Sequence, residues 1–231
     1  QGVVLTQHYA GSPICAPARA SLLTGRYNHR TGAVDVPSNR GFDRIALSET
    51  TIADVFKSAG YATGMVGKWH NGAHDMRYHP NSRGFDEFAG FLNGGMDFWN
   101  WVLDYNGSPN TADGRYLTDV FTEEALSFID RHKSEPFFLY VPYNAPHDPL
   151  QAPEGLISKY EDREKFTPPV SRIYAMIERM DSGIGRILES LKVNGLGRDT
   201  LVIFTSDNGP VLGGEGEESR SRYNGMFTGS K

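Results

Sequence analysis

The sequence predicts an α/β fold in which a largely parallel sheet is covered by helices on both faces. Three observations carry that prediction. Segments of helical spacing alternate with strand-like runs along the chain. Two of the runs, residues 137–143 and 201–205, are continuously apolar, as strands buried on both faces are. The polar clusters fall just after the ends of predicted strands, where open α/β sheets place their sites.

Residues 3–7 read as a short β-branched strand. Pro17 suits the first turn of a helix and Gly25 its stop, which puts Cys15 just ahead of a helix N-terminus. Ile52, Val55, Phe56 and Ala59 keep helical spacing over residues 51–59, and Gly60 ends that helix. Residues 61–67 follow as a strand, with Lys68-Trp69-His70 at its end. Residues 71–116, rich in Gly, Asn, Asp and aromatics, read as long loops and short strands over a binding face. Leu117 to His132 is an amphipathic helix with Thr118 as its cap and Val120, Phe121, Leu126, Phe128 and Ile129 inward. The strand of residues 137–143 leads into Asn144-Ala145-Pro146-His147. Ile173, Ile177, Met180, Ile184, Ile187 and Leu191 mark the longest helix, closed by Asn194-Gly195. The strand of residues 201–205 leads into Ser206-Asp207-Asn208-Gly209.

With 231 residues, 39% of them hydrophobic, 22% charged, and a net charge of -5, the chain is expected to form one or two globular domains. No apolar stretch approaches the roughly 20 residues of a spanning helix. The mild acidity gives no general attraction to nucleic acid, so positive charge for an anionic substrate must be local. The single cysteine excludes an internal disulfide. Gln1-Gly2-Val3-Val4-Leu5-Thr6 starts directly in a strand-like run, and Thr228-Gly229-Ser230-Lys231 closes no element. Both ends read as cut, and an interior piece of a longer protein is expected.

Four clusters carry chemistry. Cys15 opens Cys15-Ala16-Pro17-Ala18-Arg19-Ala20-Ser21-Leu22-Leu23-Thr24-Gly25-Arg26, and Arg19, four residues on, shares its helix face. A free thiol titrates near ~8.5 and needs nearby positive charge to become a nucleophile. Lys68 and His70, two apart in an extended segment, point to one side and suit an anion. His147 lies between Pro146 and Pro149, which are expected to hold its loop extended. Asp207 and Asn208 offer adjacent hard oxygens for Ca²⁺ or Mg²⁺, although Asp-Asn-Gly is also a common turn.

The first cluster resembles the signature of the type I sulfatases, Cys-x-Pro-x-Arg followed by Leu-Thr-Gly-Arg. Gly60-Tyr61-Ala62-Thr63-Gly64-Met65-Val66-Gly67-Lys68-Trp69-His70 is similar to that family's second signature. The resemblance implies an alkaline-phosphatase-like fold, truncated at both ends, with residues 1–231 as a partial catalytic domain. The first strand with an aspartate pair and a C-terminal subdomain would lie outside it. It implies that a formylglycine-generating enzyme converts Cys15 to an aldehyde, whose gem-diol attacks the sulfur of a sulfate ester. Arg19, Lys68, His70, His147 and Lys231, the last in Gly229-Ser230-Lys231, would be catalytic. Asp207, Asn208 and Cys15 as formylglycine would hold Ca²⁺, with Mg²⁺ as the alternative. Counted with that ion and the aspartate pair, the charge around the ligand is roughly +2, suited to a monoanionic ester. A phosphonate monoester or phosphodiester hydrolase of the same superfamily, and a non-catalytic binder of sulfated glycans, are the competing readings. The segment alone is expected to be inactive, and a secreted, periplasmic or lysosomal setting is implied by the family.

His29 reads as a loop-fixing residue and His132 as a surface residue suited to a helix C-terminus. His74 and His79 are open between substrate contact and plain exposure. Phe98, Trp99, Trp101 and Tyr105, with Asp97 and Asp104 nearby, could stack sugar rings. A small satellite core beneath a loop is the stronger alternative.

Overall fold

The computed structural model describes residues 2–161, 165–211, 223, 225 and 231. Helix α1 spans Cys15–Thr24 and ends at Gly25, whose left-handed φ of 66° lets its N–H reach Ser21 O. Helix α2, Ile52–Ser58, starts from a capping box: Thr51 and Asp54 each accept from the other's backbone N–H. Strand β1, Ala62–Lys68, follows at once. Strands β2 (Glu87–Phe91), β3 (Val102–Tyr105) and β4 (Ser108–Thr111) come out of the glycine-rich stretch. Helix α3 (Leu117–His132) precedes β5 (Phe137–Tyr140), and α4 (Glu154–Glu161) precedes α5 (Pro168–Val193). The N-cap of α3 is Tyr116 rather than Thr118, without a side-chain cap.

The sheet has the order β4-β3-β2-β1-β5. β1 is parallel to both β2 and β5, while β3 and β4 add an antiparallel edge. One face carries a core of Leu23, Ile45, Ala53, Met65, Trp69, Phe85 and Phe88. The other carries Val66, Phe91, Phe121, Ala175 and Met176 with α3 and α5. The predicted α/β architecture, mostly parallel with helices on both faces, is therefore what forms.

Two predicted strands do not form. Residues 3–5 and 201–204 have no strand pairing, and their apolar side chains stand in solvent, Leu201 at 85% exposure. Composition makes a segment suited to a buried strand, but the strand exists only when a neighbour takes its hydrogen bonds. No strand among the described residues lies beside either segment.

Candidate active site

The site assembles around one buried atom, the Cys15 sulfur. Cys15 is the first residue of α1 and 3% exposed, so the sulfur sits at the positive end of the helix. Lys231 Nζ donates to it at 2.9 Å, from 216 positions away in sequence. The Lys231 backbone is pinned by its N–H to Pro210 O at 2.8 Å, while Gly229 and Ser230 lie outside the described residues. His147, His70 and the Lys68 charge also bear on the sulfur, each favouring its negative form.

Arg19, one helical turn beyond Cys15, is buried and acts as a tie. Its Nε donates to Asp207 Oδ2 at 2.9 Å and its Nη1 to the Lys68 carbonyl at 2.7 Å. One guanidinium thus joins α1, the end of β1 and the 207 turn, a geometry that a lysine could not supply.

Lys68 is the last residue of β1 and 2% exposed. His70 reaches the same place by another route than alternation along a strand. It lies past the strand end with a left-handed φ of 58°, its Nε2 3.2 Å from Val36 O. Its Nδ1 is buried without a hydrogen-bond partner. The His147 loop turns instead of running extended: His147 N–H donates to Asn144 O at 2.7 Å, and Nδ1 lies 2.8 Å from Asp148 O. With Nδ1 so engaged, Nε2 is the ring nitrogen open to another partner.

Electrostatics follow from the burial. Taking the Cys15 thiol out of water pushes its pKa up, but His147, His70, the Lys68 charge and Lys231 together outweigh this and bring it down to about 4. Burial, then the Arg19 charge, pushes Lys68 down to about 8. These groups together favour the negative form of the Cys15 side chain.

Asp207 and Asn208 follow the exposed 201–204 segment. Asp207 Oδ2 is held by Arg19, while Asn208 Oδ1 is buried with no hydrogen-bond partner. An orphaned buried amide oxygen beside a carboxylate fits a hard cation. Among the described residues no group of three or more His, Cys, Asp or Glu side chains could hold a metal by itself.

Three contributors escape sequence reasoning because each acts through a tertiary contact. Gly94 lies against His70: a Cβ there would come within 2.6 Å of the ring carbon Cε1. Asp43 is fully buried near His70 with neither carboxylate oxygen hydrogen-bonded, and burial raises its pKa against the opposing pull of its own backbone N–H and of His70. Gln151 ties the His147 loop to the 97–99 turn, accepting from Phe98 N–H at 2.9 Å and donating to Asp97 Oδ2 at 2.9 Å.

The other histidines separate from the site. His29 and His74 are exposed. His79 is not exposed; it is buried at 1% with Nε2 3.2 Å from Asp104 Oδ2. His132 lies between Glu87 and Glu135, 2.7 Å from each, and so fastens α3 to β2 rather than only facing solvent.

A sulfatase family model matches residues 1–229. The uncharacterized sulfatase YdeN of Escherichia coli (strain K12) is 33% identical over 93% of this chain and 42% of its own length. Human N-acetylgalactosamine-6-sulfatase is 33% identical over 98% of this chain and 46% of its own. Among solved structures, that of Ps i-CgsB in complex with k-i-k-neocarrahexaose superposes with a TM-score of 0.75 at 32% identity, covering 81% of this chain and 46% of that one. The chain spans less than half the length of each of the three. Its mostly parallel sheet is the alkaline-phosphatase-like fold of these proteins, and the chain belongs to the sulfatase family.

Proposed function

We propose that these residues form the nucleophile half of a sulfuric ester hydrolase acting on a sulfated carbohydrate. One observation carries the reading: Lys68 with His70, His147 and Lys231, from three separate parts of the chain, gather around the Cys15 sulfur. The sugar substrate draws support from two relatives, one named an N-acetylgalactosamine-6-sulfatase and one solved with a neocarrahexaose.

In the working enzyme the sulfur position stands in for the hydroxyls of a hydrated formylglycine. That group supplies one hydroxyl to attack sulfur and a second whose deprotonation lets sulfate leave, so one hard step becomes two. Lys68 and Lys231 hold the sulfuryl oxygens and neutralise the charge that spreads onto them. His147, through Nε2, gives a proton to the departing alcohol oxygen. His70 takes the proton from the remaining hydroxyl. Arg19 keeps Asp207 and the end of β1 in register with position 15 throughout. Asp207, Asn208 and position 15 would hold a Ca²⁺ ion, or Mg²⁺, and when bound it makes the attacking hydroxyl more acidic.

Mass spectrometry of the mature protein across residues 13–19 tests the first half of this reading. The expected peptide has lost the cysteine sulfur and gained an aldehyde; an intact thiol in fully active protein would overturn it. Rates on an aryl sulfate and an aryl phosphodiester, side by side, test the second half. Sulfate ester cleavage is expected to dominate, and preference for the phosphodiester would favour the superfamily rival.

A further inference from the structure

The three tryptophans of this chain live in different settings. Trp69 and Trp101 are buried at 1%, and each donates its indole N–H to a carbonyl, of Tyr78 and of Arg115. Phe98 and Trp101 belong to the core with Tyr105 packed on it, so the aromatic cluster is in large part a packed satellite core. Trp99 does not belong to it. Its side of the loop is exposed, and its indole N–H has no partner among the described residues.

The backbone beneath Trp99 is nevertheless fixed. Asp97 Oδ1 accepts from Trp99 N–H at 2.8 Å and from Asn100 N–H at 2.7 Å. Asp97 Oδ2 is gripped by Gln151, which also takes the Phe98 N–H. The ring leans on Tyr116, centroids 5.1 Å apart, and Tyr116 donates its hydroxyl to Gln151 O. An exposed aromatic face with a free donor, on a turn held from both sides, is a prepared contact surface rather than a leftover of packing.

Its place in the fold ties that surface to the reaction centre. Gly94 packs on His70, and a Cβ at Gly95 would lie 3.8 Å from the His147 ring. Trp99 is four residues beyond Gly95, so its Cα lies within about 14 Å of that point. Gln151 is likewise four residues from His147. Both chain routes lead from the group that protonates the leaving alcohol to the exposed indole.

We infer that Trp99 is a stacking platform for a sugar ring adjoining the sulfated one, with the Asp97–Gln151 clamp as its positioning device. It selects oligosaccharide leaving groups over small alcohols. This rests on the sulfatase reading above and adds the extent of the substrate to it.

The test uses the complete natural protein, matured with a formylglycine-generating enzyme. kcat/KM is measured on 4-nitrophenyl sulfate and on a panel of sulfated carrageenan, chondroitin and heparan oligosaccharides, taking forward the best-cleaved member. Trp99→Ala is expected to cut kcat/KM on that oligosaccharide about tenfold, mainly through KM, and to leave the aryl sulfate within about twofold. Trp99→Phe should restore most of the loss. Equal losses on both substrates, no loss on the oligosaccharide, or a wild type that cleaves only the aryl sulfate would each overturn the platform. Binding of the same panel to the Cys15→Ala protein, by calorimetry, separates the two claims. Affinity that depends on Trp99 in a protein whose wild type hydrolyses no sulfate would sink the reaction and keep the platform.

Discussion

Two halves of the site are built differently. Cys15, Arg19, Lys68 and His70 stand on α1 or at the end of β1, and all are at most 5% exposed. His147, Asp207 and Lys231 sit on turns and loops and are only partly buried. Regular elements fix the first group through packing on two cores, whereas individual hydrogen bonds fix the second. The Cys15 end of the site is thus set by the scaffold, whereas the positions of His147, Asp207 and Lys231 can vary with their loops.

The sharpest way to break this division is at its centre. Cys15→Ser, without a serine-modifying system, leaves a hydroxyl that can form an ester but cannot eliminate sulfate, and turnover of aryl sulfate should fall more than about a thousandfold. Sustained turnover would remove the aldehyde from the mechanism. Gly94→Ala comes next. The added methyl meets His70 at its ring, and displacing a catalytic group by about 1 Å costs on the order of a hundredfold in kcat. A melting temperature close to wild type with kcat lost would place the effect on His70 rather than on folding.

Arg19→Lys keeps the charge and loses the fork. The tie to Asp207 or to the Lys68 carbonyl must break, so both halves loosen together, with about 2 kcal/mol of stability lost in denaturant titration. A variant with wild-type stability would mean that the halves are held independently. The smallest effect concerns a single proton. In protein with Cys15 unconverted, the thiol's ultraviolet titration should have its midpoint near about 4 rather than the ordinary ~8.5. Because the folded pKa is lowered, the associated stability is fully present above the unfolded value and is lost as pH falls through the folded one. Lys231→Met should move the midpoint upward by removing one of the donors.

What could be read from the sequence divides along similar lines. Helix α3 was legible to the residue because sixteen positions keep one apolar stripe. β5 was legible because its continuous apolar run finds a parallel partner, and β1 because it starts just after the Gly60 stop of α2. Residues 201–204 carry the same signal and yet form no strand, since a run of apolar residues states a preference and not the presence of a neighbour. β2, β3 and β4 were hidden inside a glycine-rich stretch that offers little alternation. At the candidate site, the signatures around Cys15 and Lys68 named residues that the fold does bring together. The left-handed His70, the Gly94 contact and the Gln151 clamp were invisible, because each depends on what folds against it rather than on what precedes it. His79 was misjudged for the same reason, its partner Asp104 being 25 residues away on β3.

The open run at Leu201, Val202, Ile203 and Phe204 has a practical corollary. Four successive uncharged, mostly β-branched or aromatic side chains, whose backbone has no strand partner among the described residues, make an adhesive edge. Material comprising only these 231 residues should self-associate through that edge as concentration rises. Replacing Ile203 with lysine should keep it dispersed, because a charge in the middle of such a run interrupts cross-chain ladder formation.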